Sequence, residues 1–147
     1  SNKKIKFNNK IIHQSKLLNY FSNDMGSEKV EKELEKRLKK IKKNKKYYFS
    51  TKDIILIESL IYDGIKISDK YSSILELYNS NIPTDIEVMI NDGEMAMILL
   101  RLVEIIGEDD LNNLGSESLY FILSTLNKLN IDKIRNNIIL KTFPLKV

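Results

Sequence analysis

The sequence contains no cysteine and no tryptophan, and His13 is its single histidine. Without cysteine the chain has no disulfide framework, no thiolate zinc site, no iron–sulfur cluster and no thiol nucleophile. A metal site or general base built on histidine would depend on His13 alone, and a solvated or core-edge histidine is the simpler interpretation. The composition therefore nominates no catalytic residue, no metal ligand and no cofactor.

Glycine is scarce and long apolar runs are missing. The five glycines are each isolated where a helix boundary is expected, at Gly26, Gly64, Gly93, Gly107 and Gly115. Isolated glycines do not build a phosphate-binding loop, and no G-x-S-x-G elbow is present. The longest apolar run, residues 95–106, contains Arg101 and Glu104 and is shorter than the ~18 residues of a membrane span. We therefore expect no nucleotide site, no serine hydrolase and no spanning segment, and the compartment stays open.

Charge is distributed unevenly along the chain. Residues 1–52 carry 16 Lys or Arg against 5 Asp or Glu, a net charge of +11. Residues 53–147 carry 8 against 15, a net charge of −7, so the overall +4 hides the difference. Such asymmetry indicates an acidic partner, nucleic acid or a membrane surface, or pairing of the two halves with each other, which includes self-association.

The N-terminal half predicts three helices. Ile11, Leu18 and Phe21 indicate a first helix over about residues 10–22. A second helix is predicted after the N-cap candidate Ser27, because apolar residues recur at spacings of four, four and three at Val30, Leu34, Leu38 and Ile41. A third helix follows Ser50 and Thr51 and ends at Gly64, with one apolar face at Ile54, Ile57, Leu60 and Ile61. Residues 53–57 are also compatible with a strand, but no partner strand follows.

The C-terminal half predicts further short helices. One begins at Ser68, carries Tyr71 and ends before Pro83, and the next begins at a capping box, Thr84 to Glu87. After the interruption at Gly93 a helix continues over residues 94–106. A further helix is predicted after the N-cap candidate Ser116 and is expected to bury Leu119, Ile122, Leu123, Leu126 and Leu129. The last helix spans about residues 131–142, with Ile131, Ile134 and Ile138 on its core face. The chain is thus predicted to be all-α, with about seven short helices in antiparallel hairpins.

The residues from Thr84 to Thr142 resemble tetratricopeptide-type helical hairpins. The resemblance lies in Gly93-Glu94-Met95-Ala96, similar to the small-residue start of such a helix, and in the return from residues 118–123 to residues 129–132. The layout is also similar to the C-terminal portion of uncharacterised helical-repeat proteins of alphaproteobacteria, which have no assigned activity. No 34-residue period is present, so the resemblance implies a divergent or capping end of an α-solenoid, or an irregular bundle. For function, the resemblance implies a bacterial protein-binding module.

The domain organisation follows from these patterns. Residues 1–9 are expected to form a flexible N-terminal segment, with Ser1-Asn2 interpreted as a tag remnant. Residues 10–147 are expected to form a single helical domain with a sub-boundary near residues 80–83.

The sharpest candidate for a binding site is a basic segment followed by aromatic residues. It contains eight basic side chains among eleven residues, and with the two tyrosines that follow the candidate binding residues are Lys36, Arg37, Lys39, Lys40, Lys42, Lys43, Lys45, Lys46, Tyr47 and Tyr48. Such a combination can contact phosphates and stack on bases. A solvated helix face that ends in core aromatics is the plainer interpretation, since cations also favour the C-terminal end of a helix.

Two other groups of residues were weighed as sites. The acidic residues Glu108, Asp109 and Asp110, and Asp92 with Glu94, lack the spacing of a calcium loop and fit helix ends. Met89, Met95 and Met97 could line a peptide groove, but an ordinary core is the plainer interpretation of such a stripe. We therefore expect a non-catalytic protein-interaction or structural module of unknown partner. Nucleic-acid binding through residues 36–46 is the alternative, and an enzyme is the third class.

Overall fold

The computed structural model describes residues 5–8, 10–74, 113–143 and 145–146, and these residues form an all-α fold. The four α-helices described are α1 (Ser27–Lys43), α2 (Thr51–Tyr62), α3 (Ser116–Lys128) and α4 (Asp132–Thr142). Three 3₁₀ turns accompany them, at Ile12–Gln14, Lys16–Tyr20 and Asp69–Tyr71. Two short strands, β1 (Ile5–Lys6) and β2 (Leu145–Lys146), pair antiparallel. The predicted all-α class is confirmed.

The first predicted helix, over residues 10–22, is instead a pair of 3₁₀ turns separated by Ser15. Ser15 has extended backbone angles and is buried. Its hydroxyl donates to the carbonyl of Ile12 at 2.6 Å and accepts the N–H of Leu17 at 3.4 Å. A serine side chain that bonds the nearby backbone in this way competes with the helical ladder. The prediction of one continuous helix was wrong because this local alternative was not recognised.

Helix α1 has the apolar stripe that its spacing predicts. Val30, Leu34 and Leu38 are almost fully buried and Ile41 packs at the edge of the core. The helix begins after Gly26, and no side chain caps its N-terminus, so the capping role expected of Ser27 is not observed. Because these four side chains share one side of α1, the opposite side of the helix faces solvent.

Helix α2 is fixed at both ends by local hydrogen bonds. Ser50 and Asp53 form a capping box, in which each side chain accepts the other residue's backbone N–H. At the other end Gly64 has φ +87°, and its N–H bonds the carbonyl of Ile61 while Ile65 N–H bonds that of Leu60. This pair of bonds is a Schellman motif, which needs the left-handed conformation that glycine provides.

The buried face of α2 differs from the predicted one. Ile55, Leu56, Ile57 and Leu60 are buried, whereas Ile61 is 45% exposed. The reason is that α2 packs against α3 and against the first 3₁₀ turn, Ile12–Gln14, at the same time. A helix with neighbours on two sides buries a wider and differently placed set of residues than a single amphipathic stripe indicates.

Helices α3 and α4 form a helical hairpin with a very short connection. Asn130 has φ +56°, and the N–H of Ile131 bonds the carbonyl of Leu126 at 2.9 Å. As predicted, α3 buries Leu119, Ile122, Leu123 and Leu126. The helix includes Ser116 and is preceded by Gly115, so Ser116 does not cap it, and the predicted core residue Leu129 lies just after the helix and is half-buried. In α4 the predicted core position Ile134 is 40% exposed, and Arg135 is completely buried instead. The predicted core face of α4 was therefore wrong at this turn.

Several sequence predictions fall outside the described residues. These are the helices between residues 75 and 112, the sub-boundary near residues 80–83, the methionine groove and the acidic groups near residues 92 and 108–110. The predicted count of about seven helices and the α-solenoid arrangement depend on the same residues.

Candidate binding surface

Six lysines lie on one side of α1. At about 3.6 residues per turn, these lysines fall within a sector of about 100°, opposite the buried Val30, Leu34 and Leu38. All six side chains are exposed: Lys29, Lys32, Lys36, Lys39, Lys40 and Lys43. With about 1.5 Å of rise per residue, the row extends for about 21 Å. We call these six residues the lysine stripe.

Carboxylates of α1 border the lysine stripe but do not lie within it. Glu33 pairs with Arg37 at 2.7 Å. On the other border Glu35 pairs with Lys70 at 3.3 Å. Among the residues that the structure describes, no carboxylate comes within 4 Å of an amino group of the stripe. In the described part of the chain the positive charge of the stripe therefore faces solvent.

The sequence-predicted site residues divide into two groups. The seven predicted lysines are exposed, and so is Tyr48, at 85%. Lys42 lies beside the stripe, where its ammonium donates to the carbonyl of Lys70 at 3.3 Å and lies 5.9 Å from the ring centroid of Tyr71. Arg37 and Tyr47 turn inward, which removes the single predicted arginine and one of the two predicted aromatic residues from the surface.

Sequence reasoning missed two members of the surface, Lys29 and Lys32. Both precede the dense basic segment, so a count of charges per window does not include them. The signal that identifies them is periodicity, because they continue the row of Lys36, Lys39 and Lys43 along the same helical face.

The loop after α1 holds Tyr48 in a defined position. The N–H of Tyr47 bonds the carbonyl of Asn44 at 3.1 Å, and the N–H of Lys46 bonds the Asn44 side-chain oxygen at 3.1 Å. The rings of Tyr47 and Phe49 pack edge to face with centroids 5.1 Å apart. Since both neighbours of Tyr48 are anchored towards the core, Tyr48 is left on the opposite, solvent side of this extended segment.

His13, which the sequence left as incidental, contacts the N-terminus of α2. Its Nδ1 lies 2.6 Å from Asp53 Oδ1 and 3.2 Å from the Ser50 hydroxyl. The hydroxyl of Tyr47 donates to the other Asp53 oxygen at 3.0 Å and accepts the N–H of Ile12 at 3.2 Å. In a hydrolase triad serine and aspartate bond opposite ring nitrogens, whereas here both lie against Nδ1. The cluster therefore ties the 3₁₀ turns and the Tyr48 loop to α2.

The buried Asp53 carboxyl is held in its ionised form. Burial raises its pKa, but hydrogen bonds from the side chain and backbone of His13 and from the backbone of Ser50 lower it more, and the pKa lies below its usual 3.8. A carboxylate that accepts several N–H donors is stabilised in its charged state.

A second buried cluster is centred on Arg135. Its guanidinium is fully buried and binds Asp63 in bidentate fashion, at 2.7 and 2.6 Å. It also donates to the side-chain oxygens of Asn127 and Asn136, at 3.0 and 2.8 Å, and lies 5.7 Å from the ring centroid of Phe21. These bonds join α2, α3 and α4, and the planar guanidinium matches such a set of acceptors.

Two tyrosines pair with carboxylates at the edges of α2. Tyr20 donates to Asp63 at 2.9 Å, and burial together with this bond raises the pKa of Tyr20 to about 12. Tyr120 donates to Glu58 at 3.3 Å, and burial is the main reason that its pKa also rises to about 12. Burial likewise raises the pKa of Glu58. These pairs support the packing of α2. None of the four residues belongs to α1, the helix that carries the lysine stripe.

No protein-family model matches the chain, and neither a curated protein nor a solved structure does so. Within the described residues, none of the helices has the length and apolar character needed to cross a membrane.

Proposed function

We propose that this protein is a non-catalytic interaction module that binds an acidic partner protein through the lysine stripe of α1. The observation that carries the proposal is the exposure of all six lysines in one row, with no described carboxylate paired to them. Positive charge gathered on one face steers acidic partners and raises their rate of association.

The inward orientation of Arg37 and Tyr47 favours a protein partner over nucleic acid. Lysine is a point charge that does not grip a phosphate in bidentate fashion. Tyr48 is the one strongly exposed aromatic residue of the loop that follows α1, so the loop offers stacking for a single base, whereas single-strand binders stack successive bases.

Binding of single-stranded nucleic acid is the second candidate. It is favoured by Tyr48, which is 85% exposed and lies two residues after the exposed Lys46. An exposed aromatic ring beside lysines is the combination that such proteins use for stacking and phosphate contact.

The test compares two polyanions, poly-L-glutamate and a 20-nucleotide oligothymidylate, at several salt concentrations. We expect binding of poly-L-glutamate that weakens with salt and is lost in a variant with Lys32, Lys36, Lys39 and Lys43 all changed to Gln. A matched control changes four exposed lysines elsewhere, Lys16, Lys66, Lys133 and Lys141, to Gln, and it should bind as the wild type does.

The opposite result would replace the proposal. Tighter binding of the oligothymidylate, with log K falling against log salt by about 0.7 per neutralised phosphate, would make nucleic-acid binding the function. Equal loss of binding in both quadruple variants would mean that net charge, and not the lysine stripe, is responsible.

We also propose that the α3–α4 hairpin belongs to a tetratricopeptide-like helical-repeat arrangement with the preceding residues. Its very short connection and the buried periodic face of α3 support this. Small-angle X-ray scattering tests it, because a compact globule of this length has a radius of gyration of about 15 Å. A clearly larger value supports an extended solenoid, and a value at that level favours an irregular bundle.

A further inference from the structure

The lysine stripe has a regular spacing. Five of its members follow one another at intervals of three, four, three and four residues: Lys29, Lys32, Lys36, Lys39 and Lys43. This alternation is the spacing of the contact positions in a coiled coil, where it keeps one line of residues facing a second helix. In α1 the apolar positions of the helix face the protein's own core, so the three-four pattern on the outer side is a separate, basic row.

The row is held rigid by the core. Val30, Leu34 and Leu38 fix α1 from the inner side, and the helix continues unbroken from Ser27 to Lys43. The Cα positions of the five lysines are therefore set before a partner binds. A preorganised row loses less freedom on binding than a flexible basic tail does.

The borders of the stripe limit the shape of the partner. Glu28, Glu31 and Glu35 lie on one border, together with Lys42, and Glu33 lies on the other, so carboxylates flank the stripe along both sides. A ligand with negative charge on all sides is repelled by these carboxylates, whereas a ligand whose negative charge lies in a single row avoids them. Specificity in helix pairing commonly depends on such like-charge penalties.

We propose that the partner is an α-helix with Asp or Glu at the same three-four spacing, lying along α1 over about four turns. This rests on the proposed function, since it names the form of the acidic protein that the stripe binds. Each exposed ion pair contributes little by itself, so the affinity depends on how many pairs form in register.

Two synthetic peptides of identical composition test the proposal against the full-length chain. Both contain five Glu in an Ala- and Gln-based sequence and are stapled so that circular dichroism shows equal helix content. In the first peptide the five Glu follow the three-four spacing, and in the second they are distributed around the helix. At 50 mM salt we expect the first peptide to bind at least about tenfold more tightly, which corresponds to several additional pairs in register.

Three outcomes separate this inference from the proposed function. A tenfold preference that disappears in the Lys32, Lys36, Lys39, Lys43 to Gln variant, but persists in the control variant, supports the helical partner. Equal affinity for the two peptides overturns the helical partner, while lysine-dependent binding of poly-L-glutamate keeps the proposed function intact. No lysine-dependent binding of any of the three polypeptides overturns both.

A charge exchange sharpens the result. Lys36→Glu should weaken binding of the three-four peptide about fivefold or more, because it places like charges opposite each other at the centre of the row. A peptide with Lys at its central acidic position should restore the affinity of this variant. Failure of the exchanged peptide to recover affinity would contradict pairing in a fixed register.

Discussion

The lysine stripe and the Arg135 cluster hold positive charge in opposite environments. The lysines are exposed along α1 without a described carboxylate partner. Arg135 is 0% exposed, and its guanidinium donates hydrogen bonds to Asp63, Asn127 and Asn136 where α2, α3 and α4 meet. Arg37, the other arginine that the structure describes, is also buried and pairs with Glu33. Both described arginines are therefore buried, whereas all six lysines of the stripe are exposed.

The physical difference between the side chains accounts for this division. Guanidinium is planar, weakly hydrated and has five donors, so a buried site with several acceptors can replace its water. An ammonium group is strongly hydrated and remains in solvent unless a partner compensates it. Burial of Arg135 ties the fold together, and exposure of the lysines leaves their charge available to a partner. Four expected outcomes test this contrast, from the largest effect to the smallest.

Removal of the buried cation should have the largest effect. Arg135→Leu leaves Asp63 with an uncompensated charge, and we expect the free energy of unfolding to fall by about 3–5 kcal/mol in urea titrations. Lys133→Leu on the exposed side of the same helix should change it by less than about 0.5 kcal/mol. The double variant with Asp63→Asn should regain part of the loss. A decrease below about 1 kcal/mol for Arg135→Leu would mean that the pair does not tie the helices together.

The second prediction compares apolar side chains in the α3–α4 hairpin. Leu126 is 1% exposed, and Leu126→Ala should lower the free energy of unfolding by about 2–5 kcal/mol through lost burial and a residual cavity. Ile134→Ala, at the position where sequence periodicity placed a core residue, should lower it by less than about 1.5 kcal/mol because that side chain is partly exposed. Equal losses at the two positions would contradict the orientation of α4.

The third prediction concerns pH and the ionised Asp53. Its pKa is lower in the folded than in the unfolded chain, so its stabilising contribution is complete above the usual pKa of 3.8 and is lost as pH falls through the folded value. The difference in urea midpoint between wild type and Asp53→Asn should therefore be largest near neutral pH and shrink below about pH 4. Ser59→Ala, which removes a buried hydroxyl without a titrating group, should show a difference that does not shrink in this way. A constant difference for Asp53→Asn would refute the role of its charge.

The smallest effect on stability is expected at the lysine stripe. Changing Lys32, Lys36, Lys39 and Lys43 to Gln removes the repulsion between lysines three and four residues apart. Each such like-charge pair destabilises the helix by about 0.2–0.5 kcal/mol. The melting temperature should stay the same or rise slightly. A loss of more than about 2 kcal/mol would place these lysines in the structural framework and remove them from consideration as a free binding surface.

The sequence predicted local structure well where one short-range mechanism dominates. The apolar stripe of α1 followed from its spacing, the start of α2 from the capping residue Ser50, and the end of α2 from Gly64. Four of the five core residues predicted for α3 followed from its 3.6-residue period, whereas Leu129 lies beyond the helix end. Most of the candidate surface was also predicted, since exposed lysines at the end of a helix need only the helix to be correct.

Predictions that depended on the neighbours of a helix were less accurate. Ile61 and Ile134 are apolar at core spacing yet partly exposed, because the packing partners of α2 and α4 lie in other directions. The burial of Arg135 gave no sequence signal, since its acceptors Asp63 and Asn127 come from two other helices. The contact between His13 and Asp53 joins residues 40 positions apart and was equally invisible.

By itself the sequence determined the helical class, the absence of cysteine chemistry, the helix ends that depend on a single residue, and the concentration of lysine in one segment. These depend on composition and on interactions within a few residues. Only the tertiary structure decided which face of α2 and α4 is buried, that Arg37 and Tyr47 turn inward, and that the lysines of α1 form one exposed row. The reason is that burial is a property of pairs of elements: a face becomes interior only where another element covers it, and no single segment specifies that neighbour.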